Sequence, residues 1–183
     1  MTAFPKKSMP ELNRMSVEEL KMAERNEIWV VLDSVRSRNN VGSFFRTADA
    51  FRLGGLYLCG HTPVPPHRDI FKTALGATET VPWTYRETIG DLLASLKAKG
   101  DHHIWAVEQT HNSTPLQDFP RIALPGKWVF VFGNEVSGVS DEALEHCAGS
   151  LEIPQWGHKH SFNVSVSAGM VLWEVLRTFK FDL

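Results

Sequence analysis

The 183-residue chain sets 19 lysines and arginines against 21 acidic residues, a net charge of −2, and is 43% hydrophobic. That balance fits a globular chain long enough for one sizeable core, excludes a globally basic nucleic-acid coat, and leaves any RNA binding to a local patch. No run approaches the ~20 apolar residues of a membrane span and the N-terminus lacks an apolar signal stretch, so a cytoplasmic protein with no membrane partner is expected.

Residues 1–26 read as a polar N-terminal extension whose one helical signal is Ser16-Val-Glu-Glu19, a capping box. The domain, residues 27–183, opens on Ile28-Trp-Val-Val-Leu32, a continuous apolar run of the kind found in strands covered on both faces. Asp33 ends it, and a polar turn with Arg36 and Arg38 follows. Val41, Phe44, Phe45, Ala48 and Phe51 keep helical spacing, which predicts a helix capped by Asn40. Leu56 to Cys59 is a second strand, followed by the proline-rich loop from Gly60 to Arg68. Asp69 to Leu75 reads as a short helix stopped by Gly76, Glu79 to Trp83 alternates like a strand, and Thr88 to Lys99 is an amphipathic helix closed by Gly100. Ile104 to Val107 is another buried strand.

Trp128-Val-Phe-Val-Phe132 then runs into the glycine loop Gly133 to Gly138, and Ser140 is placed to cap a helix carrying Ala143, Leu144 and Cys147. Leu151-Glu-Ile-Pro154 is a short strand stopped by its proline, and Gln155 to His160 is a polar loop. The last helix opens at Ser161-Phe162-Asn163, with Val164, Ala168, Val171, Val175 and Phe179 on its apolar face. Strands alternating with helices predict an α/β fold: a mostly parallel sheet with helices on both faces. Two loops of glycines, amides and hydroxyls at strand ends predict a ligand gripped by backbone groups.

Several chemistries fail on spacing. Gly133 to Gly138 is followed by Val139-Ser140 where a phosphate-binding loop requires lysine, and no G-x-G-x-x-G follows a strand. His158, His160 and Cys147 do not complete a tetrahedral metal set, so no metal is expected. Cys59 and Cys147 stand far apart in apolar contexts and read as reduced core thiols.

Three stretches together resemble the SpoU/TrmH-type RNA ribose 2′-O-methyltransferases of the SPOUT superfamily. Asn40-Val-Gly-Ser-Phe-Phe-Arg46-Thr-Ala is similar to that family's N-x-G-x-x-x-R-T-A motif. Val131-Phe-Gly133-Asn134-Glu135-Val-Ser-Gly138 looks like its G-x-E-x-x-G loop, and Ile153-Pro-Gln-Trp-Gly157 through Ser161-Phe-Asn163-Val-Ser165-Val is similar to its third motif. Asn134 and Phe162 depart from the commoner residues of the pattern. The resemblance implies a C-terminal trefoil knot at about residues 128–175, an exception to the rule that chains do not thread loops. It also implies S-adenosylmethionine as cofactor, held by Val107, Gly133, Ile153, Ser161 and Phe162 largely through main-chain groups. Arg46 becomes the leading catalytic candidate, with Asn40, Glu135 and Asn163 beside it. A free guanidinium is a poor base, so the favoured role for Arg46 is to hold the phosphate beside the target ribose and stabilise the developing alkoxide.

The expected partners are RNA and a second copy of the chain. Met170, Trp173 and Leu176 add apolar surface to the last helix beyond one buried face, so a homodimer is expected. Arg36, Arg38, Arg52, His67, Arg68, Lys72, His158, Lys159 and His160 are the candidate RNA contacts, chiefly Arg36, Arg38, Arg68, Lys72 and Lys159. So small a basic footprint favours tRNA over rRNA. The rival readings are a catalytically inactive RNA-binding protein of the same fold and a methyltransferase acting on a base or a protein.

Overall fold

A computed structural model describes residues 4–8, 10–119 and 125–180, without the side chains of 179 and 180. In chain order it runs α1 (Val17–Met22), β1 (Asn26–Asp33), α2 (Arg38–Ala50), β2 (Leu53–Cys59), α3 (Arg68–Ala74) and β3 (Trp83–Arg86), then α4 (Ile89–Lys97), β4 (His102–Val107), β5 (Thr114–Pro115), β6 (Lys127–Phe132), α5 (Asp141–Leu144), β7 (Gly149–Glu152) and α6 (Val164–Lys180), with two short 3-10 turns. The seven strands among the described residues form one sheet in the order β3-β2-β1-β6-β4-β7-β5, and every neighbouring pair is parallel.

Both faces of the sheet are covered, which explains why its central strands read as unbroken apolar runs. Val30 and Leu32 of β1 and Phe130 and Phe132 of β6 point to one face, under Phe44 and Phe45 of α2, Ile70 of α3 and Val171 and Leu172 of α6. Val31, Val129 and Val131 point to the other, under Leu92, Leu93 and Leu96 of α4 and Ala143 of α5. Each of the large side chains is less than 9% exposed, and burying one of that size stabilises the fold by ~1.5–3 kcal/mol. The anticipated α/β architecture, a parallel sheet flanked on both faces, is therefore present, and the strand order is consistent with the knotted threading implied by the resemblance.

Local boundaries differ from expectation for identifiable reasons. Asn40 is not the cap of α2. Ser37 is, its Oγ accepting from the Asn40 amide at 3.3 Å, so α2 begins at Arg38 and the Asn40 side chain is released for other partners. The strand expected at Glu79 to Trp83 starts only at Trp83. Residues 76–80 are wound into turns, with Val81 N donating to Ala77 O at 3.0 Å, and the Thr80 hydroxyl is used by Asp49. Pro82 has no N–H, although its carbonyl accepts from Leu56 N at 2.9 Å, so two-way pairing with β2 begins one residue later. The helix expected after Ser140 lasts a single turn. The Phe179 position on the α6 stripe lies outside the described side chains. Leu176, assigned to surplus interface surface, is only 4% exposed and belongs to the core, with Met170 packed against it.

At the N-terminal side the Ser16–Glu19 capping box closes, Glu19 N to Ser16 Oγ at 3.2 Å and Ser16 N to Glu19 Oε2 at 2.7 Å. Arg25 ties this end to the sheet by donating to the carbonyls of Leu20, Leu53 and Thr80.

Candidate functional site

The carboxyl ends of β4, β6 and β7 open into a cleft of about 760 Å³. Ligands of parallel α/β sheets are expected at this end, where strands stop and loops present free backbone groups. Apolar walls come from Val107, Phe132, Leu151, Ile153 and the half-exposed Phe162. The loop from Gly133 to Val139 forms one side, and Gln155 with His160 to Asn163 another.

The glycine loop is shaped by contacts that only glycine tolerates. A Cβ on Gly133 would sit 2.1 Å from Gly138 C and Val139 N, and Gly138 has φ +72° with the Glu108 carboxylate 2.2 Å from where a Cβ would lie. Asn134 and Gly138 exchange two backbone hydrogen bonds of 2.9 Å, closing the turn. The Asn134 side chain then completes it, donating to Ser34 O at 2.7 Å and accepting from Val136 N at 2.9 Å. This is how asparagine serves at a position where the family pattern has other residues.

Side chains from far-separated stretches meet beside the cleft. The Glu135 carboxylate accepts from the backbone N–H groups of Arg36 and Ser37, both at 3.0 Å, and from Asn40 Nδ2 at 2.9 Å. Asn40 Oδ1 accepts in turn from Asn163 Nδ2 at 3.1 Å. Asn163 Oδ1 accepts from the Ser165 hydroxyl at 2.7 Å and from Ser165 N at 2.9 Å, at the entry to α6. Partial burial pulls the Glu135 pKa upward, but the donors from Arg36, Asn40 and Ser37 outweigh it and hold the carboxyl below its ordinary value.

Of the anticipated site residues, Val107, Gly133, Ile153, Ser161, Phe162, Glu135 and Asn163 all line this cleft. Asn40 joins it through Glu135 and Asn163. Arg46 does not line it: the side chain is exposed on α2. Arg36 and Arg38 are exposed at the turn into α2, and Lys159 is exposed on the loop at the cleft's mouth. Arg68 and Lys72 lie on α3, outside the cleft lining, where Arg68 is 3.5 Å from Asp69. His67 has a local task, capping α3 by accepting from Asp69 N at 3.1 Å.

The residues just after Val107 hold both loops, beyond the reach of the three motifs. Glu108 Oε2 accepts from Val139 N at 2.9 Å, fixing the glycine loop, and Gln109 Nε2 donates to His160 O at 2.8 Å, fixing the other. Thr110 and Ser113 bond Ser150 and Glu152 of β7 at 2.7 Å each. The signal was a run of polar side chains directly after a buried strand, Glu108-Gln-Thr110. Asp33, 5% exposed at the end of β1, was likewise missed; it accepts from Ser140 N at 2.8 Å. Burial pushes the Cys59 thiol up to about 12 and the Cys147 thiol to about 11, so neither offers a thiolate near neutral pH. Among the described residues no group of three or more histidines, cysteines or carboxylates is placed to hold a metal ion, and no helix is long and apolar enough to cross a membrane.

The model of the SpoU rRNA Methylase family matches residues 27–173. The 23S rRNA (guanosine-2′-O-)-methyltransferase RlmB of Neisseria meningitidis is 33% identical over 148 residues, 81% of this chain and 57% of that protein. Its counterpart in Haemophilus influenzae is 31% identical over 167 residues, 91% of this chain and 66% of that one, so the chain spans less than two thirds of either relative. Among solved structures, an AdoMet-bound rRNA methyltransferase from Sinorhizobium meliloti superposes with a TM-score of 0.76 at 25% identity, covering 86% of this chain and 59% of that chain. The A. aeolicus TrmH/SpoU tRNA modifying enzyme gives 0.77 at 26%, covering 88% and 81%.

Proposed function

We propose, from the premise that this chain belongs to the SpoU rRNA methylase family, that it transfers a methyl group from S-adenosylmethionine to a ribose 2′-hydroxyl of RNA. The observation that carries the reading is the hydrogen-bonded chain Glu135–Asn40–Asn163, which draws all three family-like motifs to the rim of one cleft.

The cleft suits that cofactor. Its apolar walls suit a nucleoside base, its loops offer main-chain groups at two strand ends, and the Glu108 and Glu152 carboxylates in its lining favour a cationic ligand. Val107, Gly133, Ile153, Ser161 and Phe162 would hold it, and when bound it supplies an electrophilic methyl group on a sulfonium. The chain's own residues do the rest. Glu135 and Asn40 fix the turn that carries Arg36 and Arg38, placing two cations where a phosphate backbone can be gripped. Arg46, permanently charged, binds the phosphate next to the target ribose and stabilises negative charge growing on the 2′-oxygen as the hydroxyl proton passes to water. Asn163 and Ser165 hold the entry of α6 against this turn. High thiol pKa values at Cys59 and Cys147 weigh against a base methylator working through a cysteine nucleophile.

Because Arg46 is exposed and off the cleft lining, we assign it to the cleft of a second copy in a homodimer. Val166 and Trp173, 51% and 53% exposed and seven residues apart, leave an apolar stripe on α6. The tRNA preference drawn from the small basic footprint finds no support in the Neisseria meningitidis and Haemophilus influenzae relatives, whose names specify 23S rRNA. Ribosomal RNA is therefore the first substrate class, and tRNA the second on the likeness to the tRNA modifying enzyme.

Labelled methyl transfer to separated rRNA and tRNA, followed by nucleoside analysis, tests this. A 2′-O-methylnucleoside from rRNA is the expected product, and Arg46→Ala removes it while cofactor affinity by calorimetry stays near wild type. Methyl on a base overturns the chemistry. Absence of cofactor binding favours the inactive RNA-binding reading.

A further inference from the structure

The loop between β7 and α6 carries a side chain that neither the core nor the cleft accounts for. Trp156 is 92% exposed, and among the described residues no ring contact or hydrogen bond holds it. Its flanks are not free. Pro154 stiffens the entry, and Gln109 Nε2 fixes the far end at His160 O, 2.8 Å away. Gln155 and His160, on either side of it, line the cleft. His158, Lys159 and His160 are all exposed on the same loop. An indole fully in water on a tethered loop beside Lys159 and two imidazoles combines an aromatic face with a cation and further hydrogen-bonding groups, the pairing that suits single-stranded nucleic acid.

We infer that Trp156 is a stacking platform for a nucleobase adjoining the ribose presented at the cleft, with Lys159 on the neighbouring phosphate. The inference rests on the RNA reading above and adds to it how the strand is held unstacked. Charge decides between this occupant and a second copy of the chain. A two-fold interface centred on the loop would bring Lys159 against its own copy, whereas a phosphodiester strand complements its charge. The apolar stripe of α6 is a separate element and does not need Trp156.

The test is RNA binding by the full chain without cofactor, at fixed salt, with a single-stranded oligoribonucleotide as the probe. Trp156→Ala is expected to weaken binding on the order of tenfold, Trp156→Phe to recover most of it, and cofactor affinity by calorimetry to stay unchanged in both. Equal RNA affinity in wild type and Trp156→Ala overturns the inference, as does light scattering in which Trp156→Ala alone turns a dimer into a monomer. Because the readout needs no methyl transfer, failure of the stacking role is distinguishable from failure of the methyltransferase reading, in which wild type binds no S-adenosylmethionine.

Discussion

Glu135 shows how one side chain links charge state to architecture. Its carboxylate accepts from three N–H donors, those of Arg36, Ser37 and Asn40, and protonation would weaken all three bonds by removing the negative charge they point at. Because its pKa in the folded protein lies below the ordinary 4.5, the stabilisation is complete above that pH and is lost as pH falls through the lower folded value. Glu135→Gln turns an amide N–H toward a donor, so its melting temperature is expected below wild type at neutral pH, with the gap narrowing below pH 4.5. A gap independent of pH refutes this role. Gln109 makes a more local prediction. Gln109→Ala removes the tether at His160 O from an exposed position, so cofactor affinity is expected to fall severalfold while the unfolding midpoint shifts by no more than ~0.5 kcal/mol, as for other surface changes. Isothermal titration and urea unfolding read the two effects separately.

At the scale of elements, the strands are ordinary and the loops after them are specialised. β6 is held on both sides, by β1 and β4, so the position of Phe132 is fixed and the chain must turn sharply at Gly133. Gly138→Ala places a methyl against the Glu108 carboxylate in a backbone conformation that costs L-residues ~1 kcal/mol or more, while the sheet beneath is unaffected. The expected result is a folded protein, judged by circular dichroism, whose cofactor affinity is lost. Retained affinity would show that the loop's geometry is not what binds. The missed boundaries also belong to this scale. Ser37 displaced Asn40 as the cap of α2 because Asn40 had a stronger engagement with Glu135, 95 residues away. Local propensity treats serine and asparagine as near equals at that position.

For the whole molecule, the decisive expectation is a shared site. Val166→Glu puts charge on the exposed stripe of α6 without touching the core, so light scattering is expected to show a monomer with native circular dichroism and no methyl transfer. An active monomer rules out the shared site. If Arg46 serves its partner's cleft, mixing Arg46→Ala with Gly138→Ala restores part of the activity, because one mixed dimer keeps one intact cleft facing one intact arginine. No recovery on mixing, with exchange of subunits confirmed, assigns Arg46 to its own cleft.

The sequence alone determined the layer structure. Runs such as Ile28–Leu32 and Trp128–Phe132 lack alternation because both faces of their strands are buried, and that pattern is a local property of composition. Glycines at a strand end also announced a backbone-lined turn at Gly133, while Val107, Ile153, Ser161 and Phe162 were pointed to by the family resemblance. Only the tertiary structure decided the rest. Strand order puts β6 between β1 and β4, and this adjacency lets Glu135 reach Arg36 and Asn40, and Asn40 reach Asn163 across 123 residues. The roles of Glu108, Gln109 and Asp33 were illegible for the same reason. Each binds the backbone of a distant loop, and a backbone N–H or carbonyl leaves no mark of its own in the sequence. The exposure of Arg46 and Trp156 is equally a tertiary fact, because whether a side chain meets water depends on what the rest of the chain packs beside it.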